Sequence, residues 1–479
     1  MHSNLPLYRR AIDFDAFDNE FAPPDIFAET TFKASGDEIR ALQEQRFQQI
    51  IRHAWTNEFY RKRWTAAGLE EGDVRSLDDI VKLPTYTTED VKDDQAENPP
   101  YGFINGVDVG TELNTNPLKI QTSSGTTGKP RPSLLGVLEW ELIGLQTARS
   151  LYIQGARPGD VMQIPATNSL SQFAWVFYKA AHDYLGILPI TTGSGVVTPS
   201  RKQLEIAFDY GTNILPCFPE YLTSLAKTAR DELGRDVKDL RVKFIPTFLG
   251  PDTEGALRKE LEDLYGCDVY DNYGTNEISI AAFEGPDKDG LYIMEDLVYL
   301  EILDTETGEP VAPGETGNLV ATCLSRRIPP VIRLNLRDLS RVVSRGESAL
   351  GSSFQRIDHF LGRSDDMVKI RGTNVYPMAC LNAVKSDPRT TGEWFCIATR
   401  SQKDGVIRDD LTVQVEVSKS AGAVDGLEAM LSEKLKSDLS IGVIVELVEE
   451  GSLTDVANIG KEGKAKRLAD RRFEDSQTR

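Results

Sequence analysis

Gln121-Thr122-Ser123-Ser124-Gly125-Thr126-Thr127-Gly128-Lys129-Pro130 is the stretch from which the rest of this chain can be read. Seven small hydroxyl or glycine residues precede a lysine. Such a loop turns tightly, offers backbone N–H groups and hydroxyls to phosphate oxygens, and adds one cationic point charge. It is not a Walker A loop, G-x-x-x-x-G-K-[ST]. Its glycines are only three apart, and Pro130 stands where that motif carries the Ser or Thr that meets magnesium. Pro130 also disfavours a helical conformation at Lys129. The stretch therefore reads as a phosphate-binding loop of another fold, weighed against a Ser/Thr-rich surface linker.

Outward from this loop the texture is α/β. Val161–Pro165, Gly186–Ile190, Thr212–Leu215, Val242–Pro246 and Cys267–Tyr270 are short apolar runs, separated by helix-like segments such as Glu220–Leu233 and Thr253–Tyr265. Strands alternating with helices of that length indicate βαβ units and largely parallel sheets. Upstream, residues 37–65 carry apolar side chains mostly at helical spacing, followed by a turn near Pro84 and an acidic stretch from Thr88 to Asn98. Downstream, Leu291–Ile302, Gly317–Thr322 and Val331–Leu334 read as a β-rich region. From about residue 366 a compact α/β tail is expected: helix 377–386, strands near 393–399 and 410–418, helix 424–437 and strand 441–448. The expected fold class is α/β: a large multi-layered N-terminal region with mainly parallel sheets and a β-rich subdomain, plus a small mobile α/β C-terminal domain.

Composition narrows the function. The 479 residues are 40% hydrophobic and 27% charged, ordinary globular usage for two or three domains. Lys plus Arg total 54 against 74 Asp plus Glu, a net charge of −20 that repels phosphate backbones and argues against nucleic-acid binding. No apolar run approaches the ~20 residues of a membrane span, and the start of the chain does not read as a signal peptide, so a cytoplasmic protein with no membrane partner is expected. Five cysteines without a C-x-x-C pair suit buried free thiols in a reducing compartment. The four scattered histidines suggest no metal cluster.

Four further pieces follow the loop. Asp271-Asn272-Tyr273-Gly274-Thr275-Asn276-Glu277 succeeds an apolar strand and sets an aromatic ring beside a glycine and a carboxylate able to hold a hard cation. Pro330-Val331-Ile332-Arg333-Leu334-Asn335-Leu336-Arg337-Asp338 ends in an acid suited to two ribose hydroxyls. Gly362-Arg363-Ser364-Asp365-Asp366-Met367-Val368-Lys369-Ile370-Arg371-Gly372 and a basic tail segment with Gly463-Lys464 complete the series. Singly, each has a bland reading: a turn acid, a solvated charge run, a core aromatic, a surface lysine.

In this order the pieces resemble the adenylate-forming, acyl-activating, AMP-binding superfamily and, within it, the phenylacetate–CoA ligase branch, over residues 40 to 472. The resemblance implies an N-terminal adenylating domain (1–361), a hinge (362–366) and a mobile C-terminal domain (367–479). It also implies two steps: a carboxylate attacks the α-phosphate of ATP, releasing pyrophosphate and forming an acyl-adenylate, and a second nucleophile then takes the acyl group. Thr122, Ser123, Ser124, Gly125, Thr126, Thr127, Gly128 and Lys129 would cradle the β- and γ-phosphates, and Glu277 would hold Mg²⁺. Asp271, Asn272, Tyr273 and Gly274 would flank the adenine, while Asp338 with Arg363 would bind the ribose. Lys464 would bridge carboxylate and α-phosphate, with Lys461 and Lys466 as competitors for that role. Asp365 occupies the hinge position. Phe173, Ala174, Gly250, Gly274 and Thr275 would border the acid.

The chain departs from the family pattern at Asn276, where a Ser or Thr is usual, at Leu334 and Leu336, where an aromatic and a Thr are usual, and at Leu249-Gly250-Pro251-Asp252, which replaces Gly-Ala-Glu-Pro. No cationic residue stands out for a second carboxylate, so the expected acid is apolar, aromatic or cyclic. CoA is the expected co-substrate. An amide-forming ligase that hands the acyl group to an amino acid or other amine is the alternative, and a nucleotide-binding protein without turnover is a third. Dimerisation is common in the resembled branch, and a homodimer is expected on that ground alone.

Overall fold

In the computed structural model the described residues are 5–122, 131–252, 255–344, 346–366, 368–371, 373–403, 406–457 and 467–472. Strands β1 (Lys119–Thr122) and β2 (Pro132–Leu135) pair antiparallel and flank the phosphate-loop stretch. Four of the five apolar runs then come together side by side with one from the fifth. Strands β3 (Val161–Ile164) and β4 (Leu188–Thr191) pair in parallel, Ile214 bridges β3 to β5 (Phe244–Thr247), and β5 pairs in parallel with β6 (Asp268–Thr275). Every residue of β5 is buried, as expected of a strand covered on both faces.

At β6 the sheet changes sense. Strand β7 (Ser279–Glu284) folds back antiparallel on β6, and β8 (Leu291–Ile293) continues from it. A second, antiparallel sheet holds β9 (Val298–Leu303), β10 (Gly317–Cys323), β11 (Leu334–Ser340) and a short β12 (Gly362–Arg363). The helix Val137–Ile153 packs on β7 and is buried along most of its length. Among the described residues, no helix is long and apolar enough to cross a membrane.

The tail builds its own apolar core, which begins at Val368 and runs to Ile441, while the main core ends near Ile357. Two long strands, Thr390–Lys403 and Val406–Val417, pair antiparallel, flanked in parallel by Ile444–Glu449 and Leu468–Asp470. The helices Cys380–Lys385 and Leu427–Leu439 pack against them.

Some expected elements differ. The single helix over 37–65 is two, Gly36–Trp55 and Glu58–Ala66, because Asn57 caps the second by accepting the Phe59 amide at 2.9 Å. The acidic stretch is a helix, Thr88–Glu97, started by the reciprocal Thr87–Asp90 cap. The run Leu291–Ile302 divides into β8 and β9 of different sheets. Between them Asp296 turns inward to meet two buried guanidiniums, Arg149 at 2.8 Å and Arg46 at 3.5 Å. The strand expected at Val331–Leu334 begins only at Leu334, after Pro329-Pro330 and a left-handed Arg333.

Arg149 also donates to the Ala22 carbonyl at 2.7 and 3.0 Å, which ties the N-terminal segment to the core helix. Removing one member of a buried pair leaves an uncompensated charge. Arg149→Ala is expected to lower the stability of the N-terminal region by about 3–5 kcal/mol in chemical denaturation. Lys259→Ala, which breaks an exposed pair with Asp263, should change it by less than about 1 kcal/mol.

Candidate active site

The phosphate-loop stretch enters the site at Thr122, and the turn that follows β6 reaches it at Asn276. Gln121 donates to the Asn276 carbonyl at 3.0 Å, and the Asn276 side chain donates to the Thr122 carbonyl at 3.2 Å. The Asn at this position thus holds the loop's root against the turn that carries Glu277. Arg326, buried behind that turn, donates to the Glu277 carbonyl and to Ser133 Oγ. The Glu277 carboxylate is one-quarter exposed and pairs with Arg131 at 3.2 Å. Beside them opens a small cleft lined by Tyr86, Gln95, Asn105, Arg131, Ser133 and Glu277, among others. Arg131 is a functional candidate that the sequence reading missed; the signal lay one residue beyond Pro130.

Tyr273, Asp338 and Arg363 meet. The Tyr273 hydroxyl donates to Asp338 Oδ2 at 2.8 Å, and Arg363 Nη1 donates to Asp338 Oδ1 at 2.7 Å. Burial, then the Asp338 charge, holds the Tyr273 phenol far above its usual range, so it remains a donor at any physiological pH. Arg363 also forks onto both carboxylate oxygens of Asp365 at 2.8 Å, and Arg337 approaches Asp365 at 3.7 Å. The expected ribose pair and the expected hinge acid are therefore one chain of alternating charges.

Asp271 and Asn272 are both buried, with their polar atoms engaged inside the protein. Asp271 Oδ1 accepts the amides of Leu249 (2.8 Å) and Asn272 (3.0 Å), and its Oδ2 faces His359 Nδ1 at 2.7 Å. Asn272 donates to the Thr247 carbonyl at 3.1 Å and accepts from Gln154 at 3.1 Å. Gly274 is required sterically: a Cβ there would lie 2.0 Å from the Ser279 carbonyl oxygen, across the bulged hairpin of β6 and β7. Thr275 Oγ1 accepts the Glu277 amide at 3.2 Å. Gly250, at φ +73°, turns the chain just after Leu249.

At the C-terminal ends of the parallel strands, three rings from three elements converge. Phe173 stacks on Phe218 with centroids 4.7 Å apart, and Phe248 completes the triangle at 6.0 and 6.1 Å. The carboxyl edge of such a sheet is where ligands bind. Ala174, one residue on, is buried in the main core, and Trp175 turns away to meet Trp140 at 6.2 Å. Leu334 and Leu336, the departures before Asp338, are core residues. Ser123, Ser124, Gly125, Thr126, Thr127, Gly128 and Lys129 lie outside the described residues, as do Lys461, Lys464 and Lys466.

Loss of the Tyr273 hydroxyl would leave Asp338 one donor short. Tyr273→Phe is expected to weaken binding of an adenine nucleotide about tenfold, the effect of one charge-assisted hydrogen bond, without altering the KM for the acid. Titration with nucleotide and a two-substrate kinetic series check it.

The chain matches the AMP-binding enzyme family over residues 65–322 and the AMP-binding enzyme C-terminal domain over 372–472. It is 31% identical to a phenylacetate-coenzyme A ligase of Aromatoleum evansii over 454 residues, covering 92% of this chain and 96% of that protein. A phenylacetate-coenzyme A ligase of Escherichia coli K12 is 30% identical, with the same coverage. Among solved structures, 2-hydroxyisobutyryl-CoA ligase in its postadenylation state, in complex with 2-HIB-AMP, superposes with a TM-score of 0.81 at 26% identity, covering 99% of this chain and 98% of that one. The same enzyme with 2-HIB-AMP and CoA in its thioesterification state gives 0.64 at 27% identity, covering 93% and 92%. With the loop, the carboxylates and the two-part architecture in their family order, the chain belongs to the AMP-binding, acyl-activating enzymes, in the branch of the phenylacetate–CoA ligases.

Proposed function

We propose that this protein is an AMP-forming acid–CoA ligase: it activates a carboxylic acid with ATP to an acyl-adenylate, releases pyrophosphate, and transfers the acyl group to CoA. The observation that carries this reading is the meeting of Tyr273, at the end of the main sheet, with Asp338 and Arg363 of the antiparallel sheet, beside the turn that presents Glu277 and ties down the loop root at Thr122.

Attack of a carboxylate on a phosphate is slow because two anions must approach and the leaving group carries more charge. The chain answers with cations and donors set in advance, the arrangement that most lowers such barriers. Residues Thr122–Lys129 would hold the β- and γ-phosphates. Arg131, already paired with Glu277, would face them from the loop's far end. Asp338 would accept the ribose hydroxyls while Tyr273 and Arg363 keep its carboxylate oriented. Glu277 is a hard oxygen donor, partly exposed on the cleft, and suits Mg²⁺; bound there, the ion would neutralise phosphate charge. Lys464 would bring its ammonium to the carboxylate and α-phosphate, then withdraw when the tail turns at Asp365. The similar 2-hydroxyisobutyryl-CoA ligase is solved in a postadenylation and a thioesterification state, and this chain superposes better on the first, in keeping with a tail that turns between the two steps. The Phe173–Phe218–Phe248 triangle supports an apolar aromatic or cyclic acid. The five free cysteines are in keeping with a cytoplasmic setting.

The test is product analysis by mass spectrometry. Purified protein receives ATP, Mg²⁺, CoA, a mixture of amino acids and a panel of aromatic and alicyclic acids. An acyl-CoA as the dominant product is expected; an acyl-amino acid formed equally well without CoA would replace the ligase reading with an amide synthetase. Lys464→Ala is expected to lower acid-dependent pyrophosphate release by at least about a hundredfold while sparing acyl transfer from chemically made acyl-adenylate. Normal pyrophosphate release by that variant would move the catalytic role to another lysine.

A further inference from the structure

We infer that His359 is a positioning residue for nucleotide binding: its imidazole, wedged between Asp271 and the Glu284–Arg258 pair, holds both the Leu249–Asp252 turn and the chain leading into segment 362–366 in place beside β6. The inference rests on the adenylation reading for what the site binds.

The geometry is a cluster of two buried carboxylates, one guanidinium and one imidazole. Arg258 Nη1 donates to Glu284 Oε1 at 2.8 Å, His359 Nε2 lies 3.5 Å from Arg258 Nη2 and 3.9 Å from that Glu284 oxygen, and His359 Nδ1 donates to Asp271 Oδ2 at 2.7 Å. Glu284 is fully buried and Asp271 nearly so. With the imidazole protonated the four charges cancel. With it neutral, two buried carboxylates share one guanidinium, and an unbalanced charge in that setting is costly.

The cluster has two mechanical outputs. Asp271 Oδ1 accepts the Leu249 amide at 2.8 Å, and Asp252 accepts the amides of Leu257 (3.0 Å) and Arg258 (2.8 Å), so the turn between them is held at both ends by members of the network. The other output is the chain leading to the hinge. His359 and Arg363, four residues apart, reach carboxylates on two different strands, Asp271 on β6 and Asp338 on β11, both at 2.7 Å. The segment is thereby stapled once to each of the two sheets before it reaches Asp365.

Burial draws the His359 proton off, but the hydrogen bond and charge of Asp271, and then the charge of Glu284, outweigh it, leaving the imidazole more basic than a free one. The groups that face it are Asp271 from β6, Glu284 from β7, Arg258 from the helix Ala256–Tyr265, and its neighbour Asp358. Asp358 accepts the His359 amide at 2.8 Å and pairs with Arg341 at 2.9 Å. Because the folded-state basicity is raised, the contribution is present at low pH and fades as pH climbs through the imidazolium's titration.

Adenosine is the probe, since it lacks the phosphates whose own titration would mask the effect. Its Kd is measured by calorimetry from about pH 6 to 9, with the melting temperature at each pH. Wild-type affinity is expected to fall about tenfold across that range. His359→Gln should bind about tenfold more weakly at the acid end and show no pH dependence, and in turnover its loss should fall on the KM for ATP and leave kcat unchanged. Wild-type affinity and pH profile in His359→Gln would overturn the inference, as would a lowered melting temperature with unchanged Kd. If that variant does not fold, a flat wild-type profile overturns it. Acid-dependent pyrophosphate release by the wild type is scored separately: its absence removes the ligase reading while adenosine binding still judges His359. A wild type that binds no adenosine at any pH overturns both.

Discussion

Asp338 joins three parts of the molecule at one carboxylate. Its own strand, β11, belongs to the antiparallel sheet; the Tyr273 hydroxyl comes from the main sheet; and the Arg363 guanidinium comes from the segment that leads into the tail. Nearly buried, it satisfies both oxygens with donors 2.7–2.8 Å away. A carboxylate in that setting must have such donors, and the donors must stay where they are, because a buried unpaired charge is costly. The relative placement of the two sheets at the site, and of the first residues of the hinge segment, follows from that requirement.

The same economy of means recurs around the site. Asp271 takes two backbone amides and one imidazole, Glu284 takes a guanidinium and the Asp271 amide, and Asp296 takes two guanidiniums. A chain with a net charge of −20 must keep its inward-turned acids matched one by one with cations or amides, while its surplus of acid faces water. An apolar substitute at these positions would pack but would not direct a donor. Here the donors are what set the walls of the candidate site.

How much was readable beforehand varied with distance along the chain. The βαβ texture placed β3, β5 and β6, because strands buried on both faces are continuous apolar runs bounded by turns, and it placed the more exposed β4 by its apolar residues alone. The motif around Tyr273 stood out for the same reason: it sits at the end of such a run. Breaks were harder. The division of 37–65 at Asn57 depends on one cap, and the division of 291–302 depends on Asp296 turning to meet Arg149, some 147 residues earlier. Arg131 escaped notice because its meaning lies in Glu277, and His359 because nothing near it in the chain explains it.

The amino-acid order alone determined the fold class and pointed to a phosphate loop and to charged groups suited to adenylation, since each of these is written in residues close together in the chain. Tertiary structure decided which of these groups meet: that Tyr273 donates to Asp338, that Asn276 ties the loop root to the Glu277 turn, and that Asp271 is held by His359 rather than left free in the pocket. The physical reason is that a hydrogen bond requires its partners within about 3 Å. Residues scores of positions apart reach that distance only when packed sheets bring their strands together.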